Sequence, residues 1–192
     1  MKHTLICFLL SALGAVAWSG ESPDAPAPAA TNSWSAAVNG LQARITLVET
    51  EKINGTRWLV PYLELRNVRD LANPMAVRCD HENVQFELLD EAENVATNQE
   101  MMNRSGPVPQ IGIINLPLGS SIRISMECRN WGVPKDAAAM VSTDNGAWVL
   151  KESDRGRKRL RVRITGEKIE GDHWKTWQGK LETPAIKIEW KP

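Results

Sequence analysis

Residues 159–164 read Arg-Leu-Arg-Val-Arg-Ile, so that charged and apolar side chains alternate at every position. A β-strand places successive side chains on opposite faces, and this stretch therefore predicts a strand with one buried and one solvated face. The same alternation runs through 41–47, 122–129 and 186–191. One-sided strands are typical of antiparallel sheets, whereas parallel α/β proteins show continuous apolar strands separated by amphipathic helices.

Further strands are predicted at 57–68 and 84–89. The Asn54-Gly55 pair lies between two strand-like runs and tolerates the positive φ angles of a tight turn, so strands 41–49 and 57–65 are expected to pair as a hairpin. The count of about seven to eight strands with turn residues between them predicts an all-β fold, an antiparallel immunoglobulin-like sandwich.

Two stretches are expected to depart from strand structure. Glycines and prolines are frequent between 103 and 121, which predicts an irregular connection. The run Ala137-Ala138-Ala139-Met140 is the only place where the sequence indicates a helical turn.

The N-terminus carries the three parts of a secretory signal peptide. Lys2 and His3 precede the apolar run 5–10, and small residues follow up to Ala17. We expect residues 1–17 to be a signal peptide, the Pro/Ala-rich residues 18–33 to be a disordered tether and residues 34–192 to form the single folded domain. The apolar run is too short to span a bilayer, so no transmembrane segment is predicted in the mature chain.

The charge composition argues against two classes of partner, nucleic acids and anionic membranes. The chain has 23 Lys and Arg against 23 Asp and Glu, and the loss of Lys2 leaves the mature chain nearly neutral. A nucleic-acid binder needs a basic excess, and an anionic membrane attracts a polybasic segment, so neither partner is predicted. The expected localisation is extracytoplasmic, either periplasmic or secreted, and the expected partner is a protein or a glycan at the cell envelope.

Cys79 and Cys128 remain once Cys7 is removed with the signal peptide. An isolated pair in an oxidising compartment predicts a disulfide bond. Its loop of roughly 50 residues would stabilise the fold by about 4 kcal/mol in the chain-entropy model. The competing interpretation is two buried thiols.

The order of several structural motifs resembles uncharacterised secreted Ig-like β-sandwich proteins of planctomycete-type bacteria. The resemblance covers most of residues 34–190 and implies a fold and an extracytoplasmic setting, with no known activity. Cys79 and Cys128 are not part of it. It rests on the following motifs: Trp34…Val38-Asn39-Gly40-Leu41, Leu63-Glu64-Leu65-Arg66-Asn67-Val68, Leu116-Pro117-Leu118-Gly119-Ser120, Trp148-Val149-Leu150 and Trp177-x-Gly179-x-Leu181.

The arginines of the deciding stretch are candidate partner-binding residues. Alternate positions on a strand are roughly 7 Å apart, so one face would present a row of guanidinium groups suited to a polyanionic glycan or an acidic partner. The competing interpretation is a solvated face balanced by glutamates on neighbouring strands, such as Glu182 and Glu189. The candidates are Arg157, Arg159, Arg161 and Arg163.

Tryptophan is the dominant aromatic residue, with 8 copies in the chain. Trp58, Trp148 and Trp190 lie within strand-like runs and are predicted to be core residues, because a small sandwich needs large side chains between its sheets. Trp174 and Trp177 lie among polar residues and are the candidates for exposed rings that bind a glycan.

Catalytic chemistry has little support in the sequence. His81 and His173 are the only imidazoles of the mature domain, and together with Cys79 they are candidates for a metal site, although a catalytic zinc needs three protein ligands. No phosphate-binding loop, nucleophile elbow or triad is recognisable. The predicted function is therefore a non-enzymatic binding module without a cofactor. The alternatives are a carbohydrate-binding module and a metal-dependent hydrolase.

Overall fold

The computed structural model describes residues 33–53, 55–70, 74–80, 82–96, 112–126, 136–143, 146–167 and 175–191. The predicted signal peptide and nearly all of the predicted tether lie outside these residues. Within them the chain forms eleven strands and one 3-10 turn at Glu152–Asp154, which confirms the all-β prediction. The strands are β1 Leu41–Ile53, β2 Thr56–Asn67, β3 Met75–Cys79, β4 Val84–Leu89, β5 Gly112–Leu116, β6 Ser121–Ser125, β7 Ala139–Thr143, β8 Gly146–Leu150, β9 Arg159–Gly166, β10 Gly179–Glu182 and β11 Ile186–Lys187.

Strand β2 is the centre of the largest sheet. Its whole length pairs with β1, with Leu41 opposite Asn67 and Ile53 opposite Thr56, which confirms the predicted hairpin. Its other edge is shared, since the C-terminal half pairs antiparallel with β6 and the N-terminal half pairs parallel with β7. Strand β8 pairs antiparallel with β7 and is the last strand on that side of the sheet.

Strand β9 is the centre of the second sheet. It pairs with β4 along one edge and with β10 and then β11 along the other, always antiparallel. A third, two-stranded sheet consists of β3 and β5. The pairing is therefore rich in antiparallel contacts, and β2–β7 is the one parallel pair among the described residues.

One apolar core joins the three sheets and gives the molecule its sandwich-like form. The inward residues of the alternating stretches meet there, including Leu41 and Leu65 from the first sheet and Leu160 and Val162 from the second. These four side chains are fully buried. Because a sheet with one apolar face is stable only when that face packs on another layer, the alternation that predicted the strands also determines the layering.

The two expected departures from strand structure are partly wrong. Ala139 and Met140 begin β7 and form no helical turn, and every residue of β7 is buried. A strand that is buried on both faces shows no alternation, so its apolar run resembles a helix. The irregular connection predicted at 103–121 contains strand β5, and its residues 103–111 lie outside the described part of the chain.

In the described ranges, no helix has the length and apolar character that a membrane span requires.

Candidate functional site

The four candidate arginines lie together on the outer face of β9 and at its N-terminal approach. Arg161 is opposite Glu87 on β4, and Arg163 is opposite Glu182 on β10. The intervening residues Leu160, Val162 and Ile164 are buried in the core. The row of guanidinium groups that the alternation predicts is therefore present.

Two of these arginines form a closed network with two glutamates. Arg161 contacts Glu87 at 2.6 Å and Glu182 at 3.2 Å. Arg163 contacts the same two carboxylates, at 2.7 and 2.8 Å. The hydrogen bond between Arg161 and Glu87 is the main reason that the pKa of Arg161 is raised above its ordinary value. Each charge in the network thus has two opposite charges beside it.

The other two arginines face an acidic turn. Arg159 contacts Glu93 at 3.0 Å, and Arg157 lies 3.9 Å from Glu91. The carboxylate of Asp90 shapes this turn by accepting hydrogen bonds from the backbone nitrogens of Ala92 and Asn94 and from the Asn94 side chain. These bonds lower the pKa of Asp90, the Asn94 side chain contributing most.

The four candidate arginines are therefore matched in number by four glutamates, Glu87, Glu91, Glu93 and Glu182. Of the two glutamates that the sequence predicts to balance these arginines, Glu182 does so, whereas Glu189 makes no ion pair with them in the described part of the chain. An incoming anion would have to displace carboxylates that already hold the guanidinium groups. The outer face of β9 therefore presents a row of arginines, as an anion-binding surface would, but it has no excess of positive charge.

A second arginine surface covers the outer face of strands β1, β2 and β6, and we call it the β1–β2–β6 face. Its central row places Arg44, Glu64 and Arg123 side by side across the three strands. Arg44 contacts Glu64 at 2.6 Å, and Arg123 lies 3.8 Å from the same side chain. The face consists of Gln42, Arg44, Thr46, Tyr62, Glu64, Arg66, Ser121, Arg123 and Ser125.

This face carries more positive than negative charge. Arg66 donates to the Gln42 carbonyl oxygen at 2.6 Å and has no carboxylate partner in the described part of the chain. Glu64 is thus the one carboxylate among three arginines on the β1–β2–β6 face. Arg123 is half exposed, and Arg44 is about one-third exposed, at 50% and 32% of the side chain.

Aromatic rings hold these guanidinium groups in place. The guanidinium carbons of Arg44 and Arg66 lie 4.6 and 4.4 Å from the centre of a Trp34 ring. On the neighbouring row, Arg123 lies 4.1 Å from the centre of the Tyr62 ring and reaches Thr46 at 3.3 Å. Such cation–π contacts fix long side chains that would otherwise be mobile on a surface.

Trp177 is a core residue, and its predicted role as an exposed glycan-binding ring is wrong. It is 2% exposed, and its indole nitrogen donates to the Val38 carbonyl at 2.9 Å. The ring lies over Gly166 and Gly179, which are opposite each other on β9 and β10. A β-carbon on either glycine would be within 2.8 Å of Trp177. The polar residues beside Trp177 in the sequence suggested an exposed ring, but the ring fills the space above two glycines, which have no side chains.

The other tryptophan predictions divide clearly. Trp58, Trp148 and Trp190 are 2%, 7% and 4% exposed, which confirms their assignment to the interior. Trp174, the second candidate glycan-binding residue, lies outside the described residues.

Cys79 is a free thiol in β3 and is fully buried. The predicted disulfide is therefore not formed in this structure, and Cys128 lies outside the described residues. Burial, and to a smaller extent the negative charge of Asp80, raises the pKa of Cys79 to about 12. Its side chain points inward, on a strand whose apolar residues pack into the core, and this accounts for the burial of the thiol.

The candidate metal ligands His81 and His173 lie outside the described residues. Within those residues, no three His, Cys, Asp or Glu side chains converge in a way that could hold a metal ion.

Sequence reasoning missed the β1–β2–β6 face because its members come from distant segments. Arg44 belongs to the alternating run 41–47, so its outward direction was predictable. Arg66 and Arg123 become its neighbours only through the strand pairing, and Trp34 reaches Arg44 and Arg66 from the segment preceding β1.

No family model, curated protein or solved structure matches the chain.

Proposed function

We propose that this chain is an extracytoplasmic, non-enzymatic binding module that takes up an acidic polysaccharide on its β1–β2–β6 face. The observation that carries the proposal is the grouping of three arginines around a single carboxylate, with Trp34 and Tyr62 supporting the guanidinium groups. The extracytoplasmic setting is supported by the signal-peptide pattern of residues 1–17.

We also propose that the fold is of the immunoglobulin type. Strands β1, β2 and β6 neighbour one another in the order of the A, B and E strands of such domains, and β4, β9 and β10 in that of the C, F and G strands. The β3–β5 ribbon and the β7–β8 hairpin would then be additions to this frame.

Polyanions fit this face better than proteins do. Guanidinium groups present their N–H donors as a planar fork that matches carboxylate and sulfate groups, and stacking on an aromatic ring preorganises the fork. A protein interface normally has an apolar, charge-poor centre. The central row of this face is Arg44, Glu64 and Arg123, which is the opposite composition.

An extended ligand also suits the shape. The face is an open sheet surface with three rows of side chains, so it can contact a polymer along its length. On the β9 face, by contrast, an anion would compete with Glu87 and Glu182 for Arg161 and Arg163. Charge complementarity therefore favours the β1–β2–β6 face over the arginines that the sequence singled out.

The experiment compares matched variants of the two faces. Binding of the mature chain to polygalacturonate is measured by titration calorimetry, with neutral dextran as the control polymer. Arg66→Gln with Arg123→Gln should weaken binding about tenfold or more, equivalent to about 1.4 kcal/mol. Arg157→Gln with Arg159→Gln removes the same charge from the β9 face and should leave binding nearly unchanged.

Binding should also weaken as salt is added, because exposed charges are screened. The proposal fails if polygalacturonate does not bind, if dextran binds equally well, or if the β9 variant loses as much affinity as the β1–β2–β6 variant. Equally tight binding of DNA would indicate a nucleic-acid binder and would also overturn it.

A further inference from the structure

The chain enters the fold along one margin of the β1–β2–β6 face. The backbone nitrogen of Ser35 donates to the Ala43 carbonyl at 2.8 Å, and the Ser35 hydroxyl oxygen accepts from the Ala43 nitrogen at 3.0 Å. Val38 and Leu41 exchange two further backbone bonds, so the segment before β1 runs antiparallel to it, on the edge opposite β2. The residues before Ser35 therefore reach this face from the β1 side.

Trp34 joins this segment to the face. Its ring lies 4.6 and 4.4 Å from the guanidinium carbons of Arg44 and Arg66. The predicted tether, residues 18–33, ends at the preceding residue. The tether is therefore attached to the domain beside two of the three arginines of the β1–β2–β6 face.

The predicted tether carries charge of the opposite sign. It contains Glu21 and Asp24 and no Lys, Arg or His, so its one positive group would be the α-amino terminus that signal-peptide cleavage creates. On the β1–β2–β6 face, Glu64 is the one carboxylate among three arginines. Arg66 has no carboxylate partner in the described part of the chain. The excess positive charge of the face thus complements the acidic residues of the tether.

The length of the tether is sufficient for contact. Asp24 lies nine positions before Ser33, and Glu21 lies twelve positions before it. A flexible chain of nine residues covers about 15–18 Å, and a polyproline conformation extends it to about 28 Å. The face is two strand spacings wide, about 10 Å. Both carboxylates can therefore reach the arginines without a change in the fold.

We propose that Glu21 and Asp24 of the tether bind the arginines of the β1–β2–β6 face and compete there with the acidic polysaccharide. The inference rests on the proposed function, because it concerns the regulation of that same face. Exposed ion pairs are individually weak, but the covalent connection gives the tether an effective concentration in the millimolar range. A long polyanion makes many contacts and displaces the tether, whereas a small acid with one carboxylate competes with it poorly.

The test compares two variants of the mature chain with the wild type. Glu21→Gln with Asp24→Asn removes both carboxylates of the tether. Asp136→Asn with Glu189→Gln is the matched control, since it removes the same charge from two exposed positions outside the tether and outside the face.

The first measurement needs no polysaccharide. The side-chain Nε–H signals of the three arginines of the face are recorded by nitrogen-15 NMR. The tether variant should shift these signals relative to the wild type, and the control variant should not. The difference between the tether variant and the wild type should shrink as salt is added, because exposed charges are screened. Unchanged arginine signals in the tether variant overturn the inference, and so do equal shifts in the control.

The second measurement is titration calorimetry with polygalacturonate. The tether variant should bind about threefold more tightly than the wild type, as expected when weak exposed ion pairs no longer compete. The control should bind like the wild type. Equal affinity of the wild type and the tether variant overturns the competition and leaves the proposed function standing. If none of the three proteins binds the polymer, the proposed function fails, and the arginine signals alone decide whether the tether contacts the face.

Discussion

Arg161 and Glu87 lie directly opposite each other on neighbouring strands, and the Nη2 atom of Arg161 is 2.6 Å from Oε2 of Glu87. Glu87 is 8% exposed, yet it lies on the outer face of its sheet. The arginine side chains therefore cover it and supply the hydrogen bonds that a buried carboxylate requires. Glu87 is the centre of the network, and the side chains of Arg161 and Arg163 shield it from solvent.

Removing this partner should destabilise the fold. We expect Arg161→Ala to lower the free energy of unfolding by about 1–3 kcal/mol, because it leaves a mostly buried carboxylate with Arg163 alone. Arg157→Ala is the matched control, since its contact with Glu91 is exposed on both sides, and it should change stability by at most about 1 kcal/mol. Urea denaturation of both variants gives the comparison. Equal effects would show that the Arg161 network contributes no more than a surface ion pair.

Gly166→Ala should be poorly tolerated for a steric reason. Its β-carbon would be 2.2 Å from the backbone oxygen of Trp177, and a backbone atom cannot rotate away. We expect a loss of about 3 kcal/mol, at the upper end for an overpacked interior. Gly55→Ala is the control: Gly55 has φ +84° with open space around it, so it tests conformational strain alone, at about 1 kcal/mol. A smaller loss for Gly166→Ala than for Gly55→Ala would contradict the packing of Trp177.

Cys79 should be inert in the folded protein. In a Cys128→Ser variant, a pKa of about 12 leaves almost no thiolate at pH 8, and burial blocks access to the sulfur. We expect Ellman's reagent to label Cys79 only after denaturant is added, with the denatured sample as the control for full reactivity. Rapid labelling of the native variant would show that β3 opens readily. For the unmodified chain, non-reducing intact mass distinguishes the free thiols from the disulfide that the sequence predicts.

The Asp90 turn should contribute stability that depends on pH. The pKa of Asp90 is lowered below its ordinary 3.8, so its contribution is present above that value and is lost as the pH falls through the lower, folded-state pKa. The difference in stability between the wild type and Asp90→Ala should therefore be constant near neutral pH and shrink in acid. Asp90→Asn keeps an acceptor that does not titrate, so its stability relative to Asp90→Ala should not show this decline. Thermal unfolding of the three proteins, measured from neutral pH into acid, gives the comparison. A difference between the wild type and Asp90→Ala that does not change with pH would show that the Asp90 carboxylate does not stabilise the turn.

Much of the fold was predictable from strands with one buried face. Leu160, Val162 and Ile164 are buried and Arg159, Arg161 and Arg163 face outward, as the alternation requires. The β1–β2 hairpin followed from its turn sequence. Strand β7 was missed because both of its faces are buried, which removes the alternating signal.

The candidate sites were less predictable because they depend on which strands pair. The sequence shows that Arg161 points outward, but only the register of β4 against β9 places Glu87 beside it. The same holds for Arg66, whose contact with Trp34 depends on the path of the segment before β1. The exposure of Trp177 was misjudged because its partners, Gly166 and Gly179, indicate nothing about a ring until their strands are side by side.

The sharing of one edge of β2 between β6 and β7 has a consequence for how the chain folds. The β1–β2 hairpin joins residues that are close in sequence and can form early. Thr56 and Ala137, which are bonded where β7 approaches β2, are 81 positions apart along the chain. Closing such a long loop costs conformational entropy before its contacts stabilise it, and proteins dominated by distant pairings fold in milliseconds to seconds. We therefore expect docking of the β7–β8 hairpin to be a late step in folding. Until then, the part of the β2 edge that pairs with β7 would remain exposed in the β1–β2 hairpin.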